Sequence, residues 1–198
     1  MSAGYVIPHE QIGEWKLPSR GLVGMTCLVI AESAIFIIFV VAYLFYTGKS
    51  LTGPTPRDVL ETPWLASICL ISSSITVHFA VHDLRLSRIR RFTSWLAATV
   101  VLGTIFIAAT ALEWYDLIYH RGLTISTNLF GTTFYSLVGL HGSHVIVGLL
   151  MLGLTLLFAL MGKVNVHHAE RLEVISIYWH FVDAVWIVVF TVVYVVGR

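Results

Sequence analysis

Ionisable side chains set inside apolar runs are the residues of this sequence best placed to do chemistry. The stretch "YWHFVDAVW", Tyr178 to Trp186, holds His180 and Asp183 three positions apart. "GLHGSHVIVG" does the same with His141 and His144. Glu32 interrupts "LVIAESAIFIIF", His78 and His82 end "SSSITVHFAVH", and Glu113 follows "IFIAATAL". Imidazole and carboxylate can ligate copper or zinc, grip a haem iron, pass protons, or bond one buried helix to another.

Helical spacing narrows these choices. Glu173, Ser176, His180, Asp183, Thr191 and Tyr194 fall within about 80° of one helix face, a polar seam flanked by Trp179 and Trp186. His141 and His144 share a face with Thr133, Gly148 and Thr155. Gly131, Gly139, Gly142 and Gly153 lie on another face, where small residues let helix backbones approach closely. Ser67, Ser74, His78 and His82 form a third stripe, running towards Arg85.

A paired-histidine haem site needs ligands facing each other across the macrocycle, and His141, His144 and His180 do not show that spacing. A copper or zinc site from His141, His144, His180 and Asp183 is chemically possible. An intramembrane serine hydrolase built on Ser143 is disfavoured, because His141 lies about 160° away on the same helix. Hydrogen bonding between helices accounts for these groups most simply. A proton relay with Glu32 as the titrating group is compatible with it. Interior pairings follow: Glu32 with His144 first and His141 second, and His180 and Asp183 with the first or fourth helix. No phosphate-binding glycine loop, G-x-S-x-G elbow or His-Glu-x-x-His motif is present.

These groups must be held by membrane-crossing helices. The chain has 198 residues, of which 57% are hydrophobic and 12% charged, with mean hydropathy +0.84. A soluble domain carries roughly 25% charged residues. The near-neutral net charge of +1 indicates no nucleic-acid partner. A spanning helix needs about 20 apolar residues, and five segments qualify, at 21–46, 63–84, 93–115, 129–161 and 172–196. The reading is an all-α, integral membrane bundle of five transmembrane helices, residues 21–198, preceded by a segment at 1–20. That segment lacks the basic start and short apolar core of a cleaved signal. Cys27 and Cys69 lie in apolar runs without metal-type spacing and read as inert thiols.

Lysine and arginine asymmetry orients the bundle. Lys16, Arg20, Arg85, Arg88, Arg90, Arg91, Lys163 and Arg171 fall on one side, against Lys49, Arg57, Arg121 and Arg198 on the other. The N-terminus is therefore expected in the cytoplasm and the C-terminus outside. Arg85, Arg88, Arg90 and Arg91 act as the topology anchor.

Several stretches also resemble a known family. "FGTTFYSLVGLHGSHVIVGL" is similar to the signature span of subunit III of haem–copper terminal oxidases, and "YWHFVDAVWIVVF" to that family's last helix. "AESAIFIIFVVAYLFY" resembles its acidic helix, with Glu32 at the membrane carboxylate. "PWLASICLISSSITVHFAVHDL" and "LGTIFIAATALEWYDLI" resemble the two spans that follow, the second with Glu113 at the acidic–aromatic step.

The resemblance implies an accessory subunit with no catalytic centre and no cofactor of its own. Haem and copper are expected in partner subunits I and II. The subunit packs beside subunit I in a bacterial cytoplasmic membrane, where it supports proton uptake, proton translocation and turnover stability in aerobic electron transport. Glu32 carries the proton-uptake support. His78, His82, Glu113, His141, His144, His180 and Asp183 form an interior polar network. The five spans match the family's short form, which lacks the first two of seven helices. Phospholipid at the outer surface and a larger respiratory supercomplex are further expected partners. A cytochrome c oxidase is the expected setting. A quinol oxidase or nitric oxide reductase complex is the alternative, and an independent proton-coupled transporter a more distant one.

Overall fold

The computed structural model describes residues 19–50 and 53–197. Most of the segment expected at 1–20, and Arg198, lie outside the described residues. Helix α1 spans Arg20–Tyr46, started by Ser19, whose Oγ accepts from the Leu22 amide at 3.3 Å. The short α2, Pro56–Val59, follows. Helix α3 covers Trp64–Arg85, α4 covers Ile89–Tyr119 and α5 covers Leu129–Leu160. A single 3-10 turn, Val166–His168, leads into α6, Ala169–Phe190. Five helices are long and apolar enough to cross a membrane, and no strand occurs among the described residues. Helix α4 runs past both ends of the span read at 93–115, because its charged ends continue the helix beyond the apolar stretch.

Side-chain caps and short turns fix how the helices follow one another. Asn128 accepts from the Gly131 amide at 2.8 Å and donates to the Pro54 carbonyl at 3.1 Å. It therefore starts α5 and ties it to the loop after α1. Between α3 and α4 the chain reverses through Ser87, at φ 58°, and the Arg88 amide donates to the Asp83 carbonyl at 2.9 Å. Arg88 also approaches Asp83 Oδ1 at 3.6 Å, and Arg85 forms an ion pair with Glu173 of α6. Two arginines of the expected anchor thus hold helix ends together, while Arg90 and Arg91 stay exposed. At the opposite end Arg121 donates to Asp116 at 2.7 Å and also bonds Glu61. Asp116 and then Glu61 hold its guanidinium above the usual range.

Helix α6 is the centre of the bundle, packing on α1, α3 and α5, while α3 and α4 form a close pair. Its two tryptophans anchor it. Trp179 is 0% exposed and Trp186 2%. A buried indole N–H needs an acceptor. Serines of α3 supply both: Trp179 Nε1 donates to Ser73 Oγ at 2.9 Å and Trp186 Nε1 to Ser67 Oγ at 3.1 Å. Two glycines make room for Trp179. A Cβ on Gly148 would fall 2.7 Å from Trp179 Cε3, and one on Gly103 2.9 Å from its Cη2. The close approach expected at Gly142 and Gly153 does not occur, since a Cβ at either would meet nothing within 4 Å. A close approach of α5 to α6 uses Gly148 instead, on the face read as the imidazole face.

Helix α6 does not end as an ordinary helix. Its last turn, Thr191–Val196, widens, and the Gly197 amide donates to the Val192 carbonyl at 2.9 Å, five residues back. The widened turn places Tyr194 so that its hydroxyl donates to Glu113 Oε1 of α4 at 2.9 Å.

Candidate functional site

Among the described residues, three of the polar contacts between helices involve carboxyl groups within the spans, each built differently. The first joins α1 to α5. His144 Nδ1 lies 2.8 Å from the Leu140 carbonyl one turn earlier. A carbonyl only accepts, so Nδ1 carries a hydrogen and Nε2 points outward. Nε2 stands 3.2 Å from Glu32 Oε2. Without a further proton, both facing atoms would be acceptors. The pair therefore holds one proton between them, as imidazolium with carboxylate or as imidazole with carboxylic acid. This is the first of the two pairings read from the sequence. Glu32 is only partly covered, its side chain 24% exposed. It opens on a groove of about 290 Å³ lined by Met25, Leu28, Val147, Met151 and Tyr178. Tyr178 donates to the His144 carbonyl at 3.2 Å, and the Phe36 ring lies 5.0 Å from the His144 ring.

The second cluster joins α6 to α3. Ser74 Oγ donates to Asp183 Oδ2 and lies 2.8 Å from His180 Nδ1. A hydroxyl has one hydrogen. Given to Asp183, it leaves His180 Nδ1 as the donor to Ser74. The chain of bonds runs His180 to Ser74 to Asp183. Asp183 is 4% exposed, and its Oδ1 has no partner among the described residues. The first or fourth helix was expected to pair with His180 and Asp183. The second span does so instead, because α6 turns its polar seam towards the serine-rich middle of α3. The third cluster is the Tyr194–Glu113 bond, which ties the end of α6 to α4.

The expected interior network needs correction at three histidines. His141 is fully buried, but neither ring nitrogen has a hydrogen-bond partner among the described residues. It stacks on Trp186, with centroids 5.0 Å apart, and meets Phe106 at 5.9 Å and Phe36 at 6.5 Å. Its role is that of a flat ring in an aromatic core. His78 and His82 are exposed rather than interior. The buried stripe of α3 follows Leu70, Ser73, Val77, Ala80 and Leu84, and both histidines turn past its edge.

The four candidate ligands His141, His144, His180 and Asp183 are divided among an aromatic core and two separate clusters. Among the described residues no group of three or more His, Cys, Asp or Glu side chains is arranged to hold a metal ion. Ser143 donates to the Leu140 carbonyl of its own helix at 2.7 Å. Ser73 was missed from sequence, and Ser67 was read as part of a polar stripe but not as an indole acceptor. The signal that could have found them is the buried indole N–H on α6, which needs a hydroxyl or carbonyl opposite.

Five membrane-crossing helices joined through paired ionisable groups define a multi-pass helical membrane protein. Sequence relationships make the class specific. The family described as cytochrome c oxidase subunit III matches residues 16–198. A cytochrome c oxidase subunit 3 from Synechocystis is 36% identical over 195 residues, 94% of this chain and 80% of the relative. One from Bacillus sp. strain PS3 is 33% identical over 168 residues, 84% of this chain and 81% of the relative. A protein named probable quinol oxidase subunit 3, from Staphylococcus saprophyticus, is 29% identical over 177 residues, 88% of each. The chain belongs to the cytochrome c oxidase subunit III family and is thereby part of a multi-subunit oxidase complex.

Proposed function

We propose that this chain is the accessory, redox-centre-free subunit III of a bacterial respiratory cytochrome c oxidase, and that its Glu32–His144 pair supports proton uptake by the complex. Subunits I and II hold the haem and copper, and subunit I is the packing partner. The end carrying Arg85, Arg88, Arg90 and Arg91 faces the cytoplasm, the side to which clustered basic residues are retained. The observation that carries the reading is the geometry at Glu32. A carboxylate in a membrane span is paired with an imidazole, so that one proton is held at the edge of a groove rather than sealed in the core. Such a pair can exchange its proton without breaking the bundle. Phospholipid is placed at the outer surface.

The test is Glu32→Gln in the intact oxidase. Haem and copper content and the initial rate should match the parent, while activity decays faster during sustained turnover and proton uptake slows. Unchanged activity over long turnover would leave Glu32 a packing residue. Stoichiometric haem or copper in the purified chain would overturn the accessory role.

A further inference from the structure

The bonds above leave two ionisable side chains of α3 unused. His78 and His82 are exposed, and neither makes a hydrogen bond or ion pair among the described residues. His78 lies seven residues before Arg85, about 10 Å along the helix axis. An imidazole is too short to reach the headgroup region from there, and ionisable groups in a span normally face protein or a wet cavity rather than hydrocarbon. The same side of α3 also exposes Trp64 and Ile71. On α6, which packs against α3, stands His180, half-buried, with its Nδ1 engaged by Ser74 and its Nε2 unbonded among the described residues. The Arg85–Glu173 ion pair ties α3 to α6 at one end of this side. The α3–α6 side is therefore apolar near Trp64 and imidazole-bearing near Arg85.

We infer that this side docks one membrane-spanning helix of a catalytic subunit of the same oxidase. That helix presents hydroxyl or carboxyl groups opposite His78 and His180, and apolar side chains opposite Trp64 and Ile71. Polar complementarity selects the occupant. Each neutral imidazole offers one donor and one acceptor, and lipid tails can pair with neither. The identity of the partner rests on the functional reading above, whereas the location of the face does not.

The test uses the complex purified through a tag on its catalytic subunit. A benzophenone amino acid in place of the exposed Ile75, one turn from His78, is expected to cross-link to a spanning helix of that subunit. Combined His78→Leu and His82→Leu substitutions suit hydrocarbon better than the parent residues do. They are expected to lower the ratio of this chain to haem by about tenfold, the change that ~1.4 kcal/mol produces. Cross-links confined to lipid or to a second copy of this chain would overturn the inference, as would an unchanged ratio. Failure of the parent chain to co-purify with haem would overturn the functional reading, and the partner assignment with it. Lipid-only cross-links in a complex that retains the chain would overturn the docking face alone.

Discussion

The Glu32–His144 pair and the His180–Ser74–Asp183 cluster use the same chemical groups for opposite ends. The first has two titratable groups in contact, one shared proton and an open groove. The second puts a serine hydroxyl between imidazole and carboxylate, and the carboxylate is 4% exposed. With the hydroxyl's single hydrogen given to Asp183, His180 Nδ1 is the donor to Ser74. Direct contact leaves the proton free to sit on either partner. The difference is that Asp183 is sealed between α6 and α3, whereas Glu32 meets its imidazole at the edge of an open groove.

The sharpest way to break this comparison is Asp183→Ala. It leaves Ser74 without its acceptor in a dry interior, and unfolding in detergent should show a loss of about 1–3 kcal/mol. Asp183→Asn keeps an acceptor for Ser74 and should recover most of that loss. Gly148→Ala comes next. The added methyl meets the Trp179 ring at 2.7 Å, and crowding in a packed core typically destabilises by about 1–3 kcal/mol. The same thermal or denaturant curves read it, and a neutral outcome would mean that α5 and α6 can shift apart freely. Glu32→Gln should have the smallest effect on stability, below about 1 kcal/mol, as for other partly exposed pairs. A loss as large as that of Asp183→Ala would erase the distinction between the two clusters.

The helices and their polar faces were legible in the sequence, because hydrophobic length and helical spacing are local properties. Glu32 and His144 were paired correctly as the first of two choices, because the two imidazoles on that face of α5 are the polar groups able to meet a carboxylate on α1. The partner of His180 and Asp183 was not legible. Spacing says which residues share a face, but not which neighbour that face meets. Ser74 stands in the polar stripe of its span, but its role as the partner of His180 and Asp183 appears only opposite α6. The same limit misplaced His78 and His82. They belong to the stripe of Ser67 and Ser74 by angle, yet the packed arc of α3 stops just short of them. Among the glycines, only the position of the Trp179 ring separates Gly148, which is required, from Gly142, which has open space.

The widened turn at the end of α6 has a consequence for the chain's tolerance of insertions and deletions. An ordinary helix carries one angular phase from end to end, so Tyr194, eleven residues after Asp183, would face α3 as Asp183 does. The wide turn absorbs one extra residue and resets that phase. One helix can then address α3 along most of its length and Glu113 of α4 at its tip. Removing a single residue between Thr191 and Val193 would restore the ordinary period, and the lost residue and the lost widening would cancel, so that Tyr194 keeps its direction. The Glu113 bond and everything before Phe190 would keep their places. The tip of α6 thus works as a vernier, adjustable by one residue without disturbing the scale it is attached to.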